Sequence, residues 1–162
     1  MSRARSRLAL VRSIKVLHTA SAIGVTGAIA TFLVLRAQGP AAGHSGYVEV
    51  RHGIDAAYRW LAVPSLVVCV LSGLLSMVVH RPYWNAVWAW LKAATTAALL
   101  GLTLRMQSVA RDITSPEVLG HPAELLDSLA TERKGLWMLL VVLLINVVLG
   151  IYRPRLVGPP QR

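Results

Sequence analysis

The chain has 162 residues, 55% of them apolar and only 15% charged, with a mean hydropathy of +0.56 and a formal net charge of +10. A soluble domain averages roughly 25% charged residues, and the apolar residues here come in long runs, which excludes a disordered chain and argues against an ordinary soluble domain. A single cysteine, Cys69, excludes an internal disulfide and a thiolate metal cluster.

The first apolar run is Ile14 to Leu35, preceded by a basic segment, 1–13, with four Arg. It exceeds the roughly 7–15 residues of a signal-peptide core and is closed by Arg36, so it is expected to be a retained transmembrane helix. A stretch with Gly39, Pro40, Gly43 and Gly46 follows, expected to be irregular and then helical from Val48. The second run is Tyr58 to Val79, with Pro64 inside it expected to kink the helix or to end a first turn. Trp60 and the Tyr83-Trp84 pair are expected interface anchors. The turn from His80 to Asn85 holds Pro82 and is short, so the third run, Ala86 to Leu104, should pair antiparallel with the second. Lys92 interrupts that third run.

Ser115-Pro116-Glu117 is a helix-start signature with Pro at the first helical position. Pro122 to Arg133 then sets Leu125, Leu126, Leu129 and Ala130 on one face, the pattern of a short amphipathic helix at the membrane interface or of a docking face. The fourth run, Gly135 to Tyr152, has one polar residue, Asn146, and Pro154 should stop it, leaving 153–162 as a tail.

The expectation is an all-α, polytopic membrane protein, a bundle of four transmembrane helices spanning about 14–35, 58–79, 86–104 and 135–152. The basic residues stand at the edges of apolar runs, which fits lipid headgroups as partner and not nucleic acid. Five Lys or Arg through Lys15 place the N-terminus in the cytoplasm, and four spans return the C-terminus there. A bacterial inner membrane is the expected location.

Polar residues inside spans carry the functional information, because each costs energy unless paired. His18 lies about 6 Å into the first span, Lys92 about 9 Å into the third and Asn146 about 9 Å from the end of the fourth, at 1.5 Å per residue. Span order puts all three at one face of the membrane, with Ser76, Thr95 and Thr96 near that depth and His80 at the surface. Two accounts of this layer stay open. One is interhelical hydrogen bonding, helped by the small residues Ala20, Gly24 and Ala28 on the first helix and Ser65, Cys69 and Gly73 on the second. The other is a pocket between helices, in which a neutral His is a ready haem ligand.

Other chemistry is thinly supported. The sequence holds no HExxH, CxxC, P-loop or GxSxG motif, and His44, His52 and His121 are scattered through the longer loops. No acidic residue falls inside the four runs, which argues against a proton-coupled transporter with an intramembrane carboxylate.

KVLHTASAIGVTGAI, YRWLAVPSLVVCVLSGLL and HRPYWNAVWAWLKAATTAALL together resemble a family of predicted four-span bacterial membrane proteins named only as a domain of unknown function. That family in turn is similar to the copper resistance protein D domain and to HemJ-type protoporphyrinogen oxidases. The resemblance implies haem binding by His18, within KVLH, and Lys92, within WLK. Where HemJ-type proteins often carry a histidine two residues before the lysine, this chain has Trp90. The resulting expectation is a b-type haem or porphyrin held between helices. His18 would be the iron ligand, Lys92 its companion, and Asn146, Thr96 and Ser76 would stand behind them. The alternative is a non-catalytic structural or accessory subunit that associates with itself or with another membrane protein.

Overall fold

The structure, a computed structural model, describes residues 2–79, 83 and 86–152. His80, Arg81, Pro82, Trp84 and Asn85 of the expected turn, and the tail 153–162 with Pro154, lie outside the described residues. The described chain forms α1 (Ser2–Gln38), α2 (Tyr47–Ala57), α3 (Val63–Val79), α4 (Val87–Asp112), α5 (Pro116–Gly120) and α6 (Pro122–Tyr152), with no strand among the described residues. Four stretches are long and apolar enough to cross a membrane: Leu8–Gln38, Tyr47–Val79, Val87–Asp112 and Pro122–Tyr152. The chain is thus an all-α, multi-pass membrane protein built on four spanning helices.

The helices outrun the apolar runs. The basic N-terminal segment is already helical from Ser2, and residues 47–79 are helical throughout. At 1.5 Å per residue, α1 with 37 residues and α6 with 31 are about 55 and 46 Å long, against about 30 Å of hydrocarbon. Their ends therefore project into the headgroups, where charges are tolerated. The segment Pro122 to Arg133 is not a separate interfacial helix but the first turns of α6. No breaker separates it from the fourth apolar run, and Leu125 packs with Tyr47 and Ile113 while Leu126 stays exposed. The Ser115 signature does start a helix, its hydroxyl accepting from the Val118 N–H at 3.3 Å.

Pro64 has no N–H to give to the Trp60 carbonyl, and the helix adapts by widening just before it. Tyr58–Ala62 form a π-helical turn in which Val63 N–H reaches back to the Tyr58 carbonyl. The extra residue rotates Tyr58 fully into the bundle, where its ring stacks on Phe32 at 4.1 Å between centroids, and leaves Trp60 exposed toward lipid.

α1 packs on α3, α3 on α4 and α4 on α6, while α1 meets α6 less extensively. α1 and α4 therefore stand across the diagonal. Gly24 of α1 faces Ser65 of α3, whose Oγ would lie 2.8 Å from an added Cβ, so the small-residue faces do set this close packing. Between the two ends lies an apolar slab that includes Val25, Ile29, Phe32, Leu66, Leu99 and Leu139.

The end of the bundle where α1 finishes is closed by charge. The Glu132 carboxylate, 1% exposed, accepts from Arg51 of α2 at 2.8 Å to each oxygen and from Arg36 of α1. Arg36 also donates to the Leu129 carbonyl at 2.9 Å, and Arg51 lies over the Tyr47 ring at 5.3 Å. Glu132 stands twenty residues before Tyr152, about 30 Å along α6, so it marks the opposite membrane boundary from the α6 end. The four apolar runs hold no acidic residue, but the longer helix does: the Glu132 carboxylate, three residues before the fourth run, is enclosed by the bundle and paired with two guanidinium groups. Removing it strands the buried Arg51 cation and the partly buried Arg36. Glu132→Ala should cost about 3–5 kcal/mol in unfolding free energy, measured by denaturant titration in micelles. Arg36→Ala should cost less, since its side chain is 21% exposed and Arg51 still pairs. The reverse order would show that the triad does not hold this end.

Candidate functional site

At the other end the bundle is hollow. A cavity of about 470 Å³ lies between α1, α3 and α4, reaching α6 only at Gly150. Lys15, Val79, Tyr83, Trp88 and Gly150 stand toward the helix ends and form its mouth, with Tyr83 and Trp88 in an edge-to-face contact at 5.4 Å. Val70, Leu74, Met77 and Ala93 supply apolar wall, and Cys69 and Thr96 lie deeper.

His18 enters the cavity from α1 with a fixed orientation. Its Nδ1 lies 3.1 Å from the Cys69 carbonyl and 3.1 Å from Ser72 Oγ. The Ser72 hydroxyl donates to the Val68 carbonyl at 2.6 Å. A carbonyl oxygen only accepts, so the imidazole proton is assigned to Nδ1 and Nε2 keeps its lone pair. Nε2 has no hydrogen-bond partner among the described residues. Gly73 adjoins the ring, an added Cβ there lying 3.5 Å from Cε1.

Lys92 enters from α4, across the diagonal. Its backbone is anchored to α6: Asn146 Nδ2 donates to Thr95 Oγ1 at 2.8 Å and Thr96 Oγ1 at 2.9 Å, and approaches the Lys92 carbonyl at 3.4 Å. The two Thr hydroxyls donate to the same carbonyl at 3.0 and 2.7 Å. The ammonium lies beside Gly150, four residues and about 6 Å nearer the membrane surface than Asn146. The side chain thus rises from a buried anchor toward the mouth, as a long cationic side chain in lipid should. Lys15 joins it there, so the mouth is cationic and the interior apolar, with one imidazole between.

The expected polar layer is therefore real but divided. His18, Lys92, Thr96 and Ser76 line one cavity. Ser76 Oγ is turned to its own helix, donating to the Ser72 carbonyl at 2.8 Å. Asn146 is buried and does not line the cavity; with Thr95 and Thr96 it fastens α4 to α6. Interhelical hydrogen bonding thus accounts for Asn146, Thr95 and Thr96, and a cavity lies beside His18 and Lys92. Cys69, read from sequence as packing, also faces the cavity, with Sγ 3.7 Å from His18 Nδ1. Among the described residues no three or more His, Cys, Asp and Glu gather into a metal cluster.

Sequence reasoning missed the Arg36–Arg51–Glu132 group. The signal was present as helical spacing. Leu125, Leu129, Leu136 and Leu139 flank Glu132 at −7, −3, +4 and +7, and Tyr47, Ile54 and Tyr58 flank Arg51 at −4, +3 and +7. A charge on an apolar stripe is turned inward.

No family model, no curated protein and no solved structure matches the chain.

Asn146→Leu removes the polar link between α4 and α6 and leaves the His18 side of the cavity untouched. Interhelical hydrogen bonds in membranes average about 0.6 kcal/mol, so a loss of about 1–2 kcal/mol is expected in micellar unfolding. A neutral result would show that apolar packing alone holds α4 on α6.

Proposed function

We propose that this membrane protein binds a flat, amphipathic acid in the cavity between α1, α3 and α4, with b-type haem or its porphyrin as the ligand. The observation that carries the reading is the His18 imidazole, held by its Nδ1 proton, with Nε2 unpartnered among the described residues, in a pocket with a cationic mouth. The cavity volume falls within the roughly 300–1,000 Å³ common for small-molecule and cofactor sites. The resemblance of KVLH and WLK to HemJ-type proteins points to the same two residues.

The residues divide the work by chemistry. His18 is suited to hold iron through neutral Nε2, and the Cys69 carbonyl fixes its tautomer and ring plane. Lys92 and Lys15 are suited to pair with propionates, since the Lys92 ammonium points to the mouth. Val70, Leu74, Met77 and Ala93 offer apolar contact to a ring. Bound haem would supply one-electron redox chemistry at a site reached from the membrane surface.

Protein purified from haem-replete cells should show a Soret band. His18→Ala and Lys92→Ala should each lower haem content without removing the protein from the membrane, and the double variant should do little more than the worse single one. Colourless wild-type protein, with Lys92→Ala more stable than wild type, overturns the reading.

The same reading places the protein in a bacterial inner membrane with the cavity mouth on the cytoplasmic side. The basic N-terminal segment supports this orientation. A reporter active only outside the cytoplasm, fused after Arg162, should give no signal, and a strong signal reverses the orientation.

A further inference from the structure

The Lys92 ammonium occupies space that almost any residue other than glycine at position 150 would claim. A Cβ built on Gly150 would lie 2.5 Å from Nζ and 3.7 Å from Cε of Lys92. Gly150 lines the cavity, and it is the point where α6 reaches it. Asn146 lies one turn earlier on the same helix, at i and i+4, and fastens the Lys92 carbonyl directly and through Thr95 and Thr96. One face of α6 therefore locates both ends of Lys92, its backbone through an amide and its ammonium through a missing side chain. Asn146 fastens α4 to α6, and the atom in the way of an added methyl group is the far end of a flexible side chain. The flexible end of the lysine is what moves.

We infer that Gly150 is a positioning residue. It seats the Lys92 ammonium at the mouth, and so sets the cavity's preference for ligands that carry an acid group. This rests on the ligand-binding reading above and deepens it, since it assigns recognition of the ligand's carboxylate to one residue pair. The apolar wall and His18 lie on α1, α3 and α4 and are not touched by the change. A methyl group at position 150 should therefore cost affinity for the acid and not for its neutral form. Alanine is also the better helix former, so α6 itself gains from the substitution.

The test uses Gly150→Ala in the full chain, purified in micelles, with two independent readouts. The first needs no ligand. The chain has three lysines, Lys15, Lys92 and Lys134, so protein labelled with ¹³C at lysine Cε gives three signals. The Lys92 signal, assigned with Lys92→Arg, should shift in Gly150→Ala while the other two stay. An unmoved Lys92 signal overturns the proposal, whatever the protein binds. The second readout compares haem with haem dimethyl ester, which lacks the free carboxylates. Gly150→Ala should weaken haem by about tenfold or more, the scale of one charge-assisted contact, and leave the ester unchanged. Equal weakening of both would mean that Gly150 shapes the wall rather than the acid site. In a Lys92→Met background the Gly150→Ala change should have no further effect on haem, and a persistent tenfold loss there would also overturn the assignment. If the wild type binds neither compound, the haem reading falls by itself, and the lysine spectrum alone decides whether Gly150 seats Lys92.

Discussion

One carboxylate holds together the end of the molecule that α1, α2 and α6 share. Glu132 is enclosed, and the two guanidinium groups that reach it come from different helices. In lipid such a charge would be expelled if it were alone. With two partners it becomes a joint, and it fixes the rotation of α6 about its axis. That rotation points Leu136, Leu139 and Leu143 into the core and carries Asn146 to the face of Thr95 and Thr96. The polar fastening near the cavity thus inherits its geometry from an ion group about 20 Å away along the same helix, fourteen residues at 1.5 Å each. Buried ion groups are weak evidence for stability and better evidence for register. Register is what this one supplies.

The two ends of the bundle are built on opposite plans. At one end, charges of both signs from α1, α2 and α6 meet, one carboxylate between two guanidinium groups. At the other, the charged groups among the described residues lining the cavity are the ammonium groups of Lys15 and Lys92. Helix packing alone does not need that hollow. α1 is tied to α3 by the His18 contacts, and α4 to α6 by Asn146. Each pair is fastened within itself. The cavity lies across the seam, where α1 and α4 face each other along the diagonal.

Much of this was legible before any coordinates. Four apolar runs and their flanking charges give the spans, because hydrocarbon admits little else than a helix with internally satisfied backbone. The shared depth of His18, Lys92, Thr96 and Ser76 follows from span order and rise per residue, and these four do meet in one cavity. What stayed hidden has physical causes. The helix ends ran past the apolar runs because a helix continues into the headgroups at little cost, so Pro122 to Arg133 looked like a separate element. Glu132 falls within the segment that reads as an amphipathic interfacial helix, and only its spacing from the leucines shows which way it turns. The division of the polar layer into a fastening and a pocket depends on helix rotation, which depth does not encode. The role of Gly150 was beyond reach altogether, since the sequence does not show which side chain occupies the space a glycine leaves.

The placement of Lys92 bears on which account of it is physically sufficient. A lysine that only escapes lipid could point outward and reach the headgroups along the protein surface. Here the stem instead rises inside the bundle, half-buried, past a glycine that leaves it room. That route is costlier than the outer one, because it places an ammonium beside apolar walls. Three hydrogen-bonded side chains on α4 and α6 hold the backbone from which it departs. Under the proposed function, the ammonium meets the acid group of the ligand at the mouth, and the apolar body of that ligand fills the cavity beneath.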